Sequence, residues 1–224
     1  MGPMFSGKTT YILKKIESIE DSISSNYILI KPKIDNRYED SVESVGFESV
    51  NKSYITSHDR KMKECRSLDN LLGVIDSVRL SADSRHKISI EPEEEIECSA
   101  FNDPVHMIAK QSKKGSFLKN FYVIVDEAQF FGDLLLFCRK CLEIKSKTNI
   151  NLLICGLDGD YKREPIGQIL NVIPLSDKVT KLTGKCTYCE NRSIFTKRII
   201  TNKEQVLIGG EEAYRPVCRD HYLD

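Results

Sequence analysis

The chain is 224 residues long, with 40% hydrophobic and 29% charged residues, the make-up of a folded globular protein rather than a disordered or fibrous one. Lys plus Arg number 33 and Asp plus Glu 33, so the formal net charge is zero, which weighs against nucleic acid as a partner and makes any anion site local. No apolar run approaches the roughly 20 residues of a membrane span, the start carries no signal-peptide pattern, and the expectation is a cytoplasmic protein whose eight cysteines serve as thiols or metal ligands rather than in disulfides.

Residues 2–9 (GPMFSGKT) satisfy G-x-x-x-x-G-K-[ST]. In that pattern glycines let the backbone curl so that successive N–H groups point at a phosphate, and the helix that follows adds its positive end. A helical pattern does follow, over residues 10–21, where Ile12, Leu13, Ile16 and Ile19 recur on one face. The runs YILI (27–30), FYVIV (121–125) and LLIC (152–155) are short and continuously apolar, as strands are when both faces of a parallel sheet are covered. Helical spacing returns at 68–80 and at 133–145, the latter between two of the strands, so the body reads as an α/β sheet with crossover helices. Residues 39–53 and much of 61–119, including the acidic run EPEEEIE, read as solvated insertions. From Lys185 onward, short strand-like pieces framed by cysteine predict a small C-terminal subdomain.

Three constellations carry chemistry. Lys8 and Thr9 would hold phosphates and Mg²⁺. Asp126 and Glu127 stand at the end of an apolar strand, where the ligand crevice of an open sheet forms, and alternation along a strand keeps neighbours from facing one partner. Asp126 then suits the metal, and Glu127 is a candidate base for an attacking hydroxyl or water. Finally, Cys186 with Cys189 and Cys218 with His221 form two x₂ pairs that give a closed Cys₃His set for structural Zn²⁺. Cys138 and Cys141 share that spacing but lie in a helical pattern and read as core thiols.

In chain order, GPMFSGKT, DNRY, SHDR, DEAQFF, LDGDYKREPIGQILNVIPL, KLTGKCTYC, FTKR, IGGEEAY and VCRDH resemble the motifs of the cellular-type (type II) thymidine kinases. The likeness is lost across about 39–53 and 67–117. It implies a P-loop NTPase-like parallel sheet with helices on both faces over residues 1–184, and a zinc-binding, nucleoside-binding subdomain over 185–224. A lasso loop at about 158–181 would close over the substrate. The activity implied is transfer of a phosphoryl group from ATP to the 5′-hydroxyl of thymidine, giving dTMP in nucleotide salvage. Feedback inhibition by dTTP, a homotetramer, and no nucleic-acid or membrane partner go with it.

Carried over by position, ATP and Mg²⁺ would be held by Gly2, Pro3, Met4, Phe5, Ser6, Gly7, Lys8 and Thr9, with Asp59, Arg60, Lys61, Asp126 and Gln129. Glu127 would be the general base. Met4, Leu157, Phe130, Tyr161, Thr196, Gln205, Val206, Leu207, Ile208, Gly209 and Tyr214 would line the nucleoside site. Cys186, Cys189, Cys218 and His221 would bind zinc. Tyr161 stands where that family commonly has Phe, and its hydroxyl is expected to shift nucleoside preference slightly. The family also carries an apolar strand ahead of the first glycine, where this sequence has only Met1. The expectation is therefore a sheet short of that strand, with weaker stability and ATP binding. Two other readings stay open at this point: a P-loop ATPase with a zinc-stabilised module for a partner or nucleic acid, and a catalytically inactive homologue.

Overall fold

A computed structural model describes residues 1–22, 25–35, 53–57, 61–83, 120–144 and 149–223. Helix α1 (Lys8–Glu20) leaves Gly7, which takes φ 79°, and buries Ile12, Leu13, Ile16 and Ile19, the stripe its spacing predicts. Strand β1 (Ser25–Pro32) then pairs in parallel with β3 (Met62–Leu68) on one side and with β4 (Asn120–Val125) on the other. Strand β2 (Ser53–Thr56) folds back antiparallel on β3, and β5 (Asn149–Ile154) pairs in parallel with β4. The order β2-β3-β1-β4-β5 makes a mostly parallel five-stranded sheet.

Alternation sorts the strand side chains between two layers. Ile28, Ile30, Val123 and Val125 pack on one face with Val78 of α2 (Ile75–Asp83) and Phe137 of α3 (Leu134–Leu142). Leu29, Ile55 and Ile124 pack on the other with the α1 stripe. Both faces are thus covered, which is why β1 and β4 read as unbroken apolar runs. The helical pattern at 68–80 is realised in two pieces. Leu68 ends β3 opposite Pro32, a 3₁₀ turn occupies Leu72–Val74, and only then does α2 begin. The break is set from across the chain, because Oδ2 of Asp133 accepts the N–H groups of Leu71 and Leu72, both at 2.8 Å, and caps the turn there. The expected insertions fall mostly in 36–52 and 84–119, outside the described residues.

Beyond β5 the chain runs through the proposed lasso, which includes a 3₁₀ stretch at Ile169–Leu175. It then enters two ribbons, β6 (Gly184–Lys185) with β7 (Arg192–Ser193) and β8 (Phe195–Arg198) with β9 (Tyr214–Val217), and ends in the short helix α4 (Arg219–Leu223). Among the described residues no strand pairs with the outer edge of β5. A groove of about 330 Å³ runs along that edge, walled by Met1, Ile150, Leu152, Ile169, Val172 and Leu182. Residues 1 and 2 close its end, where Gly2 donates to the Gly156 carbonyl at 3.2 Å and Met1 accepts from Leu182 at 2.8 Å.

Candidate active site and metal centre

The loop ahead of α1 owes its curl to two left-handed residues, Phe5 at φ 59° and Gly7 at φ 79°. Gly2 is obligatory for a different reason: a side chain there would press on the Leu182 carbonyl, 2.5 Å from the added carbon. None of the residues in the first turn of α1 is acidic. The Lys8 ammonium is buried and donates to the Pro3 carbonyl at 2.7 Å. Ser6 has a buried Oγ with no protein partner among the described residues. A buried hydroxyl in that condition suits a polar ligand.

Asp126 follows β4 directly, its N–H donating to the Ile30 carbonyl at 2.9 Å, and its Oδ2 accepts from the Thr9 hydroxyl at 3.0 Å. Burial, with the charge of Glu127 beside it, pushes the Asp126 carboxyl up to about 7, even though the Thr9 hydroxyl, the Glu127 N–H and Lys8 all favour its ionised form. A buried carboxylate paired with a hydroxyl supplies the hard oxygens that Mg²⁺ prefers, and a bound cation would remove the cost of ionising it.

Glu127 takes φ 48°, ψ 42° at the entry to a 3₁₀ turn over Ala128–Phe130. Strand alternation therefore does not separate the two carboxylates, since both lie past the last residue of β4. The left-handed turn at Glu127 does so, and sends its side chain toward a cavity that Asp126 does not line.

That cavity gathers the expected nucleoside residues. Met4, Phe130, Leu157, Tyr161, Thr196, Gln205, Val206, Leu207, Ile208, Gly209 and Tyr214 all line it, together with Glu127. Met4 also ties the loop to the far wall, its N–H donating to Thr196 Oγ1 at 3.0 Å. Gln129, expected with the nucleotide, lines the same cavity. Asp59 and Arg60 fall outside the described residues. Lys61 forms an ion pair with Glu17 at 2.7 Å. Nine residues of helix separate Glu17 from Lys8, about 13 Å along the axis.

Sequence reasoning passed over two hubs of this wall. Asp160 accepts through Oδ1 from the N–H groups of Lys162 (2.8 Å) and Glu164 (2.9 Å), and through Oδ2 from Gln205 Nε2 (3.0 Å). Arg198 reaches the carbonyls of Asn202, Glu204 and Gln205, donates to the Tyr214 hydroxyl at 2.6 Å, and stacks 3.8 Å over the Tyr161 ring. The run DGDYKREP carries a faint signal for the first, an Asp two residues ahead of an N–H it can accept. Nothing local marks Arg198. Asp158 and Lys181 form an ion pair at 2.6 Å, joining the two ends of the expected lasso.

In the small subdomain, Sγ of Cys186, Cys189 and Cys218 and a ring nitrogen of His221 lie within 4.8 Å of one another. A tetrahedral Zn²⁺ would set sulfurs about 3.8 Å apart and nitrogen about 3.5 Å from sulfur. Here Cys189 to Cys218 is 3.8 Å, and His221 Nδ1 lies 3.3 Å from Cys218 and 3.7 Å from Cys186. Burial opposes ionisation of the Cys186 thiol, yet backbone N–H groups of Cys218, Tyr188 and Cys189 bring it down to about 6, toward the thiolate a metal takes. Cys138 and Cys141, which the sequence reads as core thiols, stay protonated, as does Cys155 just past β5: burial pushes Cys138 up to about 11 and Cys141 and Cys155 to about 12.

A family model described as thymidine kinase matches residues 1–77 and 63–222. A thymidine kinase of Oryza sativa subsp. japonica is 35% identical over the whole of this chain, which spans 65% of that protein. Thymidine kinase a of Arabidopsis thaliana is 33% identical, again over the whole chain and 73% of its own length. Thymidine kinase of vaccinia virus (strain Western Reserve) is 28% identical, and there the chain covers 94% of the relative.

Proposed function

The chain belongs to the thymidine kinase family, and from that premise we propose that it transfers the γ-phosphoryl group of ATP to the 5′-hydroxyl of thymidine, releasing ADP and dTMP. The observation that carries this reading is the shared wall between loop and cavity. Met4 belongs to both, and Glu127 lines the cavity directly after Asp126, whose other partner is Thr9 of the loop. Phosphates cradled by residues 2–9 and a nucleoside in the cavity would meet beside one carboxylate.

The chain's own groups divide the work. Backbone N–H groups of the loop and the Lys8 ammonium hold the triphosphate in line for attack. Thr9 and Asp126 would hold Mg²⁺, which neutralises charge on the transferring phosphate. Glu127 accepts the 5′-hydroxyl proton as the oxygen attacks phosphorus, a contribution typically of 10² to 10⁴-fold. The strip at residues 205–209 and the lasso enclose the base and exclude water, which suppresses hydrolysis of ATP. Cys186, Cys189, Cys218 and His221 would hold Zn²⁺, which would tie the small subdomain together. The same reading carries a homotetramer, inhibition by dTTP and a place in pyrimidine salvage in the cytoplasm; no helix among the described residues is long and apolar enough to cross a membrane.

The test is ADP release from Mg-ATP with and without thymidine, with deoxycytidine and Glu127→Gln as controls. Thymidine-dependent release that vanishes in the Gln variant is the expected result. Release that ignores thymidine would overturn the reading in favour of an ATPase.

A further inference from the structure

Glu127 sits in a left-handed turn past the end of β4, at the head of the 3₁₀ turn. A carboxylate on a side chain with three rotatable bonds needs a partner to set its direction if it is to take a proton from one particular hydroxyl. Gln129 stands next to it. Its side-chain amide contacts Glu127 Oε2 at 2.7 Å on one side and the Leu157 N–H at 3.0 Å on the other. A backbone N–H can only donate, so the amide oxygen must face Leu157, and the NH₂ group is left to donate to the carboxylate. The amide cannot turn over without losing both bonds.

The residue is also clamped. Gln129 is 4% exposed. A side chain at Gly156 would collide with its Oε1, and one at Gly167 with its backbone carbonyl. Both glycines thus make room for Gln129, and both flank or belong to the lasso, whose first residues follow Leu157 directly.

We propose that Gln129 is a positioning residue that orients the Glu127 carboxylate and couples that orientation to the seating of the lasso. This rests on the kinase reading above. One oxygen of Glu127 is fixed by the amide, which sets the direction of the other. When the lasso root at Leu157 shifts, the amide shifts with it and the carboxylate loses its aim.

Two variants separate this role from simple support of the lasso. Gln129→Met keeps the volume and removes both bonds. Gln129→Glu keeps an acceptor for Leu157 while replacing the donor to Glu127 with a second carboxylate. Each is compared with wild type in thymidine phosphorylation from pH 5 to 9, alongside thermal melting. Both variants are expected to lower kcat by about 10 to 10²-fold, a fraction of what a general base supplies, with thymidine KM within about threefold of wild type.

A Gln129→Glu enzyme with wild-type kcat would overturn the proposal, as would a loss confined to KM in both variants. Either result would leave the kinase reading intact, provided wild type is active and Glu127→Gln is silent. A wild-type chain that phosphorylates no thymidine would instead bring down the kinase reading and this inference with it.

Discussion

Asp126→Asn should make the Mg²⁺-free protein more stable while abolishing its activity. The carboxyl is 3% exposed, and burial together with the Glu127 charge raises it to about 7. Between its ordinary value near 3.8 and about 7, the folded chain keeps a proton that the unfolded chain has released. The stability this adds is present in full below the unfolded value and is lost as pH rises through about 7. The whole difference amounts to at most about 4 kcal/mol at pH 8, and the part lost between pH 5.5 and 8 to about 2 kcal/mol. Asn cannot ionise and still satisfies its neighbours. Its oxygen accepts from the Glu127 N–H, and its NH₂ group donates to the Thr9 hydroxyl, which can accept as well as donate. Urea denaturation at the two pH values, without added Mg²⁺, isolates the effect as the difference between variant and wild type. The variant should gain about 2 to 4 kcal/mol at pH 8 and lose the wild-type slope over that window. An Asn variant no more stable than wild type at pH 8, or one with the same slope, would refute the argument that the fold strains to hold this charge for a metal.

Three further outcomes are expected. Stripping zinc, or Cys186→Ser, should release α4, whose Tyr222 hydroxyl donates to the Tyr161 carbonyl at 2.9 Å while Arg163 stacks 4.4 Å over its ring; thymidine KM should rise about tenfold with a smaller change for ATP, and metal analysis should find one zinc per chain in the wild type. Gly167→Ala places a side chain at φ 58° and against the Gln129 carbonyl, so it should cost about 2 kcal/mol or more and be visible as a lower melting temperature. Tyr161→Phe removes a hydroxyl that donates to the Lys203 carbonyl at 3.0 Å. It should cost about 1 kcal/mol and leave the thymidine-to-deoxycytidine ratio of kcat/KM unchanged, which revises the expectation that this hydroxyl tunes nucleoside preference.

What the sequence made legible was local. The loop at 2–9, the runs that became β1, β4 and β5, and the two x₂ metal pairs are each written in a few adjacent residues, and each needs only its neighbours to be read. The hairpin of β2 and β3 escaped because it lies at the sheet's edge with one face in water. Met62, Glu64 and Arg66 alternate with more buried neighbours there, and an alternating, charged strand does not look like the continuous apolar runs of the strands beside it. The late start of α2 escaped because its cap comes from Asp133, 62 residues away from Leu71. Asp160 and Arg198 escaped for the same reason in part, since Gln205 is 45 residues from Asp160.

The two halves of the candidate site are held by different forces. Residues 2–9 and Asp126 lean on the sheet, where apolar burial on two faces fixes β1 and β4 and hydrogen-bond ladders fix their register. The cavity's outer wall has neither. Residues 202–209 contain no strand or helix, and an irregular segment with few apolar contacts holds its shape only if its carbonyls find donors. Arg198 supplies them to three carbonyls at once, and the Tyr214 hydroxyl supplies one more to Leu207 at 2.8 Å. Arg198 and Tyr214 are themselves paired across the ribbon of β8 and β9, whose other end runs into the Cys218 and His221 ligands. Shape in that wall therefore passes from the Cys₃His set through the ribbon to one guanidinium, and from there to the strip that lines the cavity. A binding surface assembled this way can be loosened without unfolding the sheet beneath it. A loop that must open for substrate and close over it requires that separation.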